Sequence, residues 1–204
     1  MKKMGCLAVA GGLVLIVVIL AMYAVGVYNS LVGAEQAVEA QWAQVQNVYQ
    51  RRADLIPNLV ATVRGAADFE QETLRQVIEA RSRVGQLTPQ ATEQILNDPQ
   101  RFAQFQQAQD TLGAALSRLM VVVERYPELR SVPAFQDLMV QLEGTENRIA
   151  VERRRFNEVA RDYNTRVRRF PAALFAGIMG FEPRPYFTAQ PGAETAPEVD
   201  FERQ

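Results

Sequence analysis

The chain has 204 residues, 48% of them hydrophobic and 22% charged, with a net charge of −1. That is enough for one core and suggests one domain, at most two, and it provides no global basic field for nucleic acid. One Cys and no His exclude an intrachain disulfide, a structural Cys/His zinc site and any Ser-His or Cys-His nucleophile pair.

The first 35 residues carry the clearest signal. No charge separates Lys3 from Glu35, and residues 5–28 are almost wholly apolar. As a helix this stretch would run about 36 Å, enough to cross a hydrocarbon core of roughly 30 Å. The alternative, a cleaved signal peptide with Ala24-Val25-Gly26 as its cleavage site, has an apolar region longer than such peptides use. Cys6 is not preceded by the apolar stretch that lipoprotein processing needs, which leaves palmitoylation near the membrane surface. Ala8 and Gly12 form a small-xxx-small pair, a weak signal of helix association. Lys2 and Lys3 lie before the span, and no Lys or Arg occurs from Asn29 to Tyr49. The positive-inside rule therefore puts the N-terminus in the cytoplasm and the rest outside the inner membrane.

From Asn29 to Phe170 the pattern is helical, with strand and hairpin-turn signals missing. Helix A is expected from Asn29 to about Asp54, with Leu31, Ala34, Val38, Trp42, Val45 and Tyr49 on one face. Pro57 either ends this helix or only kinks it. Helix B is expected from Pro57 to Val84, with Leu59, Val63, Leu74, Val77 and Ile78 inward and Gly85 as stop. Thr88-Pro89 and Asp98-Pro99 read as N-caps followed by Pro at the first helical position, with a short helix from Pro89 to Leu96. Helix C runs from Pro99 to Tyr126, with Phe105, Leu112, Leu119 and Tyr126 seven apart. Helix D runs from Val132, with Ser131 as cap, to Phe170. Leu142, Ile149, Phe156, Tyr163 and Phe170 keep the same spacing there. Sustained seven-residue repeats favour shallow, coiled-coil-like packing in a bundle. The apolar segment after Pro171 is too short to span a bilayer, and residues 188–204 read as a disordered acidic, Pro-containing tail. The expected fold is all-α: a transmembrane helix (1–28), an antiparallel up-and-down four-helix bundle (29–187) and the tail.

At this point the residues resemble the LemA family. Tyr28-Asn29-Ser30-Leu31-Val32 follows the span, then Trp42 and Val45, then RRADLIPNLV at 51–60. Tyr126-Pro127, TENRIA at 145–150, Arg155-Phe156-Asn157, RDYNT at 161–165, Phe170-Pro171, Phe181 and Tyr186-Phe187 complete the pattern. Phe156 stands where a Tyr before Asn is common. The resemblance implies a single-span bacterial membrane protein carrying a four-helix bundle, with no enzyme activity established. Some relatives are associated with shaping internal membranes, and others sit beside genes for membrane proteases.

Chemical readings are weak. Bundle di-metal sites use Glu-x-x-His pairs, and no inward carboxylate pattern repeats. Glu35 and Glu39, or Glu70 and Glu72, read as solvated faces. No catalytic, cofactor or metal site is expected. From Asn147 to Arg169 eight Arg face three acids, a net +5. That run fits anionic headgroups or an acidic partner, or simply a solvated face with intrahelical ion pairs. The heptad aromatics and Trp42 read as core.

Helical rise sets the expected levels. Asp54 is 25 residues beyond Asn29, and Thr145 is 25 residues before Phe170, each about 38 Å up. With four alternating helices, Arg51, Arg52, Asp54 and Asn58 should meet Glu146 and Asn147 at the membrane-distal end. They would form a register-fixing ion-pair cluster or a partner-docking site. Tyr28 and Asn29 should meet Tyr163 and Asn164 at the membrane-proximal end. If Pro57 only kinks one A–B helix, three helices result. The expected role is a noncatalytic interaction or scaffold module at the cell envelope, with the bilayer around residues 5–28 and a protein partner outside. Nucleic acid is not expected, and homo-oligomerisation stays open. The alternative is membrane shaping or anionic-lipid binding through the Arg-rich last helix and the segment after Pro171.

Overall fold

Helix formation through a proline decides the architecture. In the computed structural model, which describes residues 2–65, 70–87 and 92–188, α1 runs unbroken from Lys2 to Arg64 with Pro57 inside it. A proline has no N–H for the carbonyl four residues back, here that of Ala53. That carbonyl instead accepts a hydrogen bond from Arg81 Nε, 3.1 Å away on the next helix, and Pro57 itself faces solvent. Pro57 therefore neither ends the helix at Asp54 nor removes the turn. The reversal comes later, after Arg64, and α2 spans Gln71–Leu87.

Next come the short α3 (Thr92–Asn97) and α4 (Pro99–Val123), followed by α5 (Pro127–Arg130), α6 (Pro133–Arg168) and α7 (Ala172–Ile178). Asp98 caps α4 as expected: its carboxylate accepts from the N–H groups of Gln100 and Arg101, with Pro99 opening the helix. At α6 the expected cap is wrong. Val132 occupies the N-cap position without a side-chain bond, and the Ser131 hydroxyl donates to the Glu128 carbonyl. Pro133 at the first helical position removes one of the N–H groups that would need a partner, and the Val132 carbonyl accepts from the Phe135 and Gln136 N–H groups at 3.0 and 3.2 Å. The Thr88-Pro89 cap lies outside the described residues.

All regular structure among the described residues is helical. Residues 29–64 of α1 and the 36 residues of α6 are equal in length, each about 54 Å. They lie side by side: Arg52 meets Glu146, Gln41 meets Glu152 and Ser30 meets Arg166. Rising numbers in α1 thus match falling numbers in α6. The 17-residue α2 and 25-residue α4 are shorter, about 26 and 38 Å, and pack on each other.

The seven-residue spacing reads the core well. Leu31, Val38, Trp42, Val45, Tyr49, Phe105, Leu112, Leu119, Leu142, Ile149, Phe156 and Tyr163 are all buried. Two readings fail. Ile78 is exposed, and so is Phe170, because α6 stops at Arg168 and the residue before a proline is driven out of helical conformation.

Two apolar clusters form. The upper joins Ile56, Leu59 and Val63 to Leu74, Val77, Leu112, Leu119 and Leu142. The lower joins Leu31, Trp42 and Val45 to Phe102, Phe105, Ile149, Phe156 and Tyr163, with Phe181 and Phe187 from the C-terminal segment. Trp42 is its centre, with Phe105, Phe156, Phe102 and Phe187 rings 5.2, 5.5, 5.7 and 6.1 Å away. Residues 13–20 of α1, by contrast, expose every large apolar side chain.

If Pro57 is a tolerated interior residue, Pro57→Ala restores the intrahelical bond. Stability in urea titrations should then rise by roughly 1–3 kcal/mol, against the ~3 kcal/mol an interior proline costs. A loss of stability would contradict this account of α1.

Candidate functional site

Between the two apolar clusters lies a polar layer. On α1 the upper cluster begins at Ile56 and the lower ends at Tyr49, and Arg52 sits in the gap with only 2% of its surface exposed. Its Nη1 donates to Glu146 Oε1 and Oε2 at 3.2 and 3.4 Å. Its Nη2 donates to the Gln109 carbonyl at 3.1 Å and also to the Gln109 side-chain oxygen. One guanidinium thereby ties α1 to both α4 and α6. The cation lies 5.1 Å from the Tyr49 ring centroid, within cation–π range. Burial pushes the Tyr49 phenol up to about 12, against the opposing fields of Arg153 and Arg52.

Beside this group, Arg153 of α6 bridges to Asp110 of α4 at 2.8 Å. Of the residues expected to cluster here, the structure joins Arg52 and Glu146. Arg51, Asp54, Asn58 and Asn147 face solvent; Asp54 accepts from Gln50 within its own helix at 2.7 Å. The layer lies about two-thirds of the way up the column rather than at its end, because α1 continues to Arg64 above it and α6 begins at Pro133.

Sequence reasoning missed Gln109 and the Asp110–Arg153 pair. It also missed a second device, the C-terminal strap at residues 181–188. Three side-chain amides hold its backbone, each accepting from the N–H and donating to the C=O of one residue. Asn164 grips Arg184 at 2.7 and 2.8 Å. Asn157 grips Phe187 at 2.9 and 2.8 Å. Gln106 grips Thr188 at 3.2 and 2.9 Å. A signal was present: Phe156-Asn157 and Tyr163-Asn164 repeat an aromatic-amide pair one heptad apart. The aromatics fill the core and the neighbouring amides bind the strap.

The expected meeting of Tyr28 and Asn29 with Tyr163 and Asn164 is replaced by contacts through this strap. Tyr28 packs edge-on against Phe181 at 5.8 Å. Tyr163 is fully buried, with the Arg184 cation 5.7 Å from its ring centroid. Asn29 is exposed. Glu35 is not on a solvated face; it pairs with the largely buried Arg184.

At the foot, α7 packs beside the apolar end of α1, with Phe175 and Tyr23 rings 5.7 Å apart. Leu174, Ile178 and the preceding Phe170 point outward. At the far end, an open groove of about 720 Å³ between α4 and α6 is lined by Met120, Val123, Phe135, Met139 and Val140, with Glu124 and Glu143 at its edge.

These features define a helical protein in which one helix is long and apolar enough to cross a membrane and continues into a domain with a buried charged layer. The chain belongs to the LemA family, whose model matches residues 41–201. It is similar to Magnetosome protein MamQ 2 of Paramagnetospirillum magneticum (strain ATCC 700264 / AMB-1), with 29% identity over 182 residues, covering 82% of this chain and 67% of that protein. It is equally similar, with the same identity and coverage, to Magnetosome protein MamQ of Magnetospirillum gryphiswaldense (strain DSM 6361 / JCM 21280 / NBRC 15271 / MSR-1).

The Arg52 side chain is buried but that of Glu146 is 35% exposed, so an unpaired Glu146 still reaches water, while the buried Gln109 side chain loses its donor. Arg52→Met should therefore cost about 1–3 kcal/mol in chemical unfolding. Adding Glu146→Leu and Gln109→Leu should recover most of that loss. A single variant as stable as the parent would show that the layer is not a tight one.

Proposed function

We propose that the chain is a noncatalytic, membrane-anchored antiparallel four-helix bundle acting as an interaction or scaffold module at the bacterial cell envelope. The observation that carries this reading is the continuity of α1. The helix with the candidate span is the same helix that carries Arg52 and Trp42, so anchor and domain move as one rod rather than two bodies on a linker. The matched pairings of α1 with α6, and of α2 with α4, support the up-and-down arrangement. The guanidinium Nη groups of the layer and the three strap amides bond internally, while the buried Nε atoms of Arg52, Arg153 and Arg184 and the Tyr49 and Tyr163 hydroxyls have no partner among the described residues; the bonded groups suit a structural role.

With the N-terminus in the cytoplasm, the bundle stands outside the inner membrane and presents its α4–α6 groove about 50 Å above the bilayer. The occupant that fits this groove is a partner protein's segment with apolar side chains and a basic residue. Methionines and valines line the floor and Glu124 and Glu143 the rim, and flexible methionines suit such docking.

A second reading has its own observation. The outward row Phe170, Leu174 and Ile178 lies at the level of Tyr23, inside the apolar stretch. There α7 would rest in the headgroup region as an interfacial helix.

The scaffold reading is tested with a photo-crosslinking amino acid placed in the full chain in living cells. A probe at Val140, 69% exposed in the groove, should give discrete protein adducts, and one at exposed Arg154 should not. No adduct at Val140, or the same adduct pattern from both positions, would contradict it.

A further inference from the structure

The foot of the bundle holds a groove that neither the polar layer nor the strap uses. It is an open pocket of about 660 Å³ between α1 and the end of α6. Its lower part is apolar, walled by Met22 and Phe170, with Gly26 between. No heavy atom lies within 4 Å of where a Gly26 side chain would begin, so the floor is bare. The upper rim is polar: Ser30, Arg166 and Arg169. Arg166 Nη1 donates to Ser30 Oγ at 3.3 Å. Among the described residues, neither Arg166 nor Arg169 has a carboxylate within ion-pair distance.

The end of a helix attracts cations through its exposed carbonyls, which accounts for basic residues in the last turn of α6. It does not account for an apolar cleft continuing directly below two of them. The groove also opens beside the exposed apolar surface of α1, to which its own Met22 and Tyr23 belong. An apolar slot opening toward lipid, under a pair of guanidinium groups, matches a ligand with a phosphate head and a hydrocarbon tail. Arginine forks bind phosphate oxygens bidentately.

We propose that this groove binds one anionic phospholipid, its phosphate between Arg166 and Arg169 and one acyl chain along Gly26. The site rests on the reading of α1 as a membrane span, and it gives the domain a fixed rotational and vertical seat on the bilayer. Arg168 is the internal control, since it shares the helix end but does not line the groove.

The test is native mass spectrometry of the full chain, purified in detergent and supplied with equal amounts of phosphatidylglycerol and phosphatidylcholine of the same acyl composition. One phosphatidylglycerol per chain should be retained, about tenfold over phosphatidylcholine. Arg166→Gln with Arg169→Gln should reduce it to the phosphatidylcholine level, and Arg168→Gln should leave it unchanged. Gly26→Leu fills the floor without touching the charge and should remove the bound lipid. Helicity by circular dichroism verifies the fold of each variant.

Three results would overturn the site: equal loss with Arg168→Gln, which indicates diffuse charge; retention by Gly26→Leu; or displacement of the lipid by inorganic phosphate alone. Alkaline extraction of the parent chain from its membrane separates the two failures. Release would remove the span reading and the site together, whereas a firmly embedded chain without lipid preference would remove the site alone.

Discussion

A single guanidinium joins three helices at one level. Arg52 is buried, and a buried cation must be paired or the structure that buries it is lost. Its partners come from two other helices: Glu146 from α6, and the backbone and side chain of Gln109 from α4. Above and below, the packing is Leu, Val, Ile and aromatic, and apolar burial is non-directional. The polar layer is directional: a slide of one turn, about 5.4 Å, carries Glu146 out of reach. Arg153 and Asp110 reinforce the same level from α6 to α4. The two apolar clusters supply most of the burial, and the layer between them ties α1, α4 and α6 together.

A mismatch of lengths explains the rest of the architecture. The α1–α6 pair is longer than the α2–α4 pair, so the lower core would be open on one side. Trp42, Phe102 and Phe156 would then meet water. The strap at residues 181–188 closes that side with Phe181 and Phe187. An extended segment brings backbone polar groups with it, and these need partners when buried; Asn164, Asn157 and Gln106 supply them. The chain must descend past the end of α6 before it can climb back, and α7 is that turning point. Its position beside Tyr23 follows from the same geometry, and so does the cleft beneath Arg166 and Arg169.

Much of this was legible in the sequence, because core packing leaves a period. Steps of three and four in α1 and heptad spacing in α4 and α6 identified many of the buried residues, and helical rise brought Arg52 to the level of Glu146. It was not legible where the deciding contact is remote. The bond that lets α1 pass Pro57 comes from Arg81, 28 residues on. Glu35 reads as a surface acid until Arg184, 149 residues away, is placed against it. The strap has no periodicity, since its backbone is read by side chains from 20 to 82 residues distant. Phe170 failed for the opposite reason: the period was carried one step past the helix that generated it.

Whether the Arg52 layer sets the register of α1 on α6 is tested most directly by disulfide trapping. In a background without Cys6, Gln41→Cys pairs with Glu152→Cys in the native register and with Arg148→Cys one turn away. With Arg52 intact, only the first pair should close. When Arg52, Glu146 and Gln109 are all made apolar, closure of the first pair should fall and the second should appear. An unchanged pattern in the apolar variant would show that the clusters alone hold the register and that the polar layer does not set it.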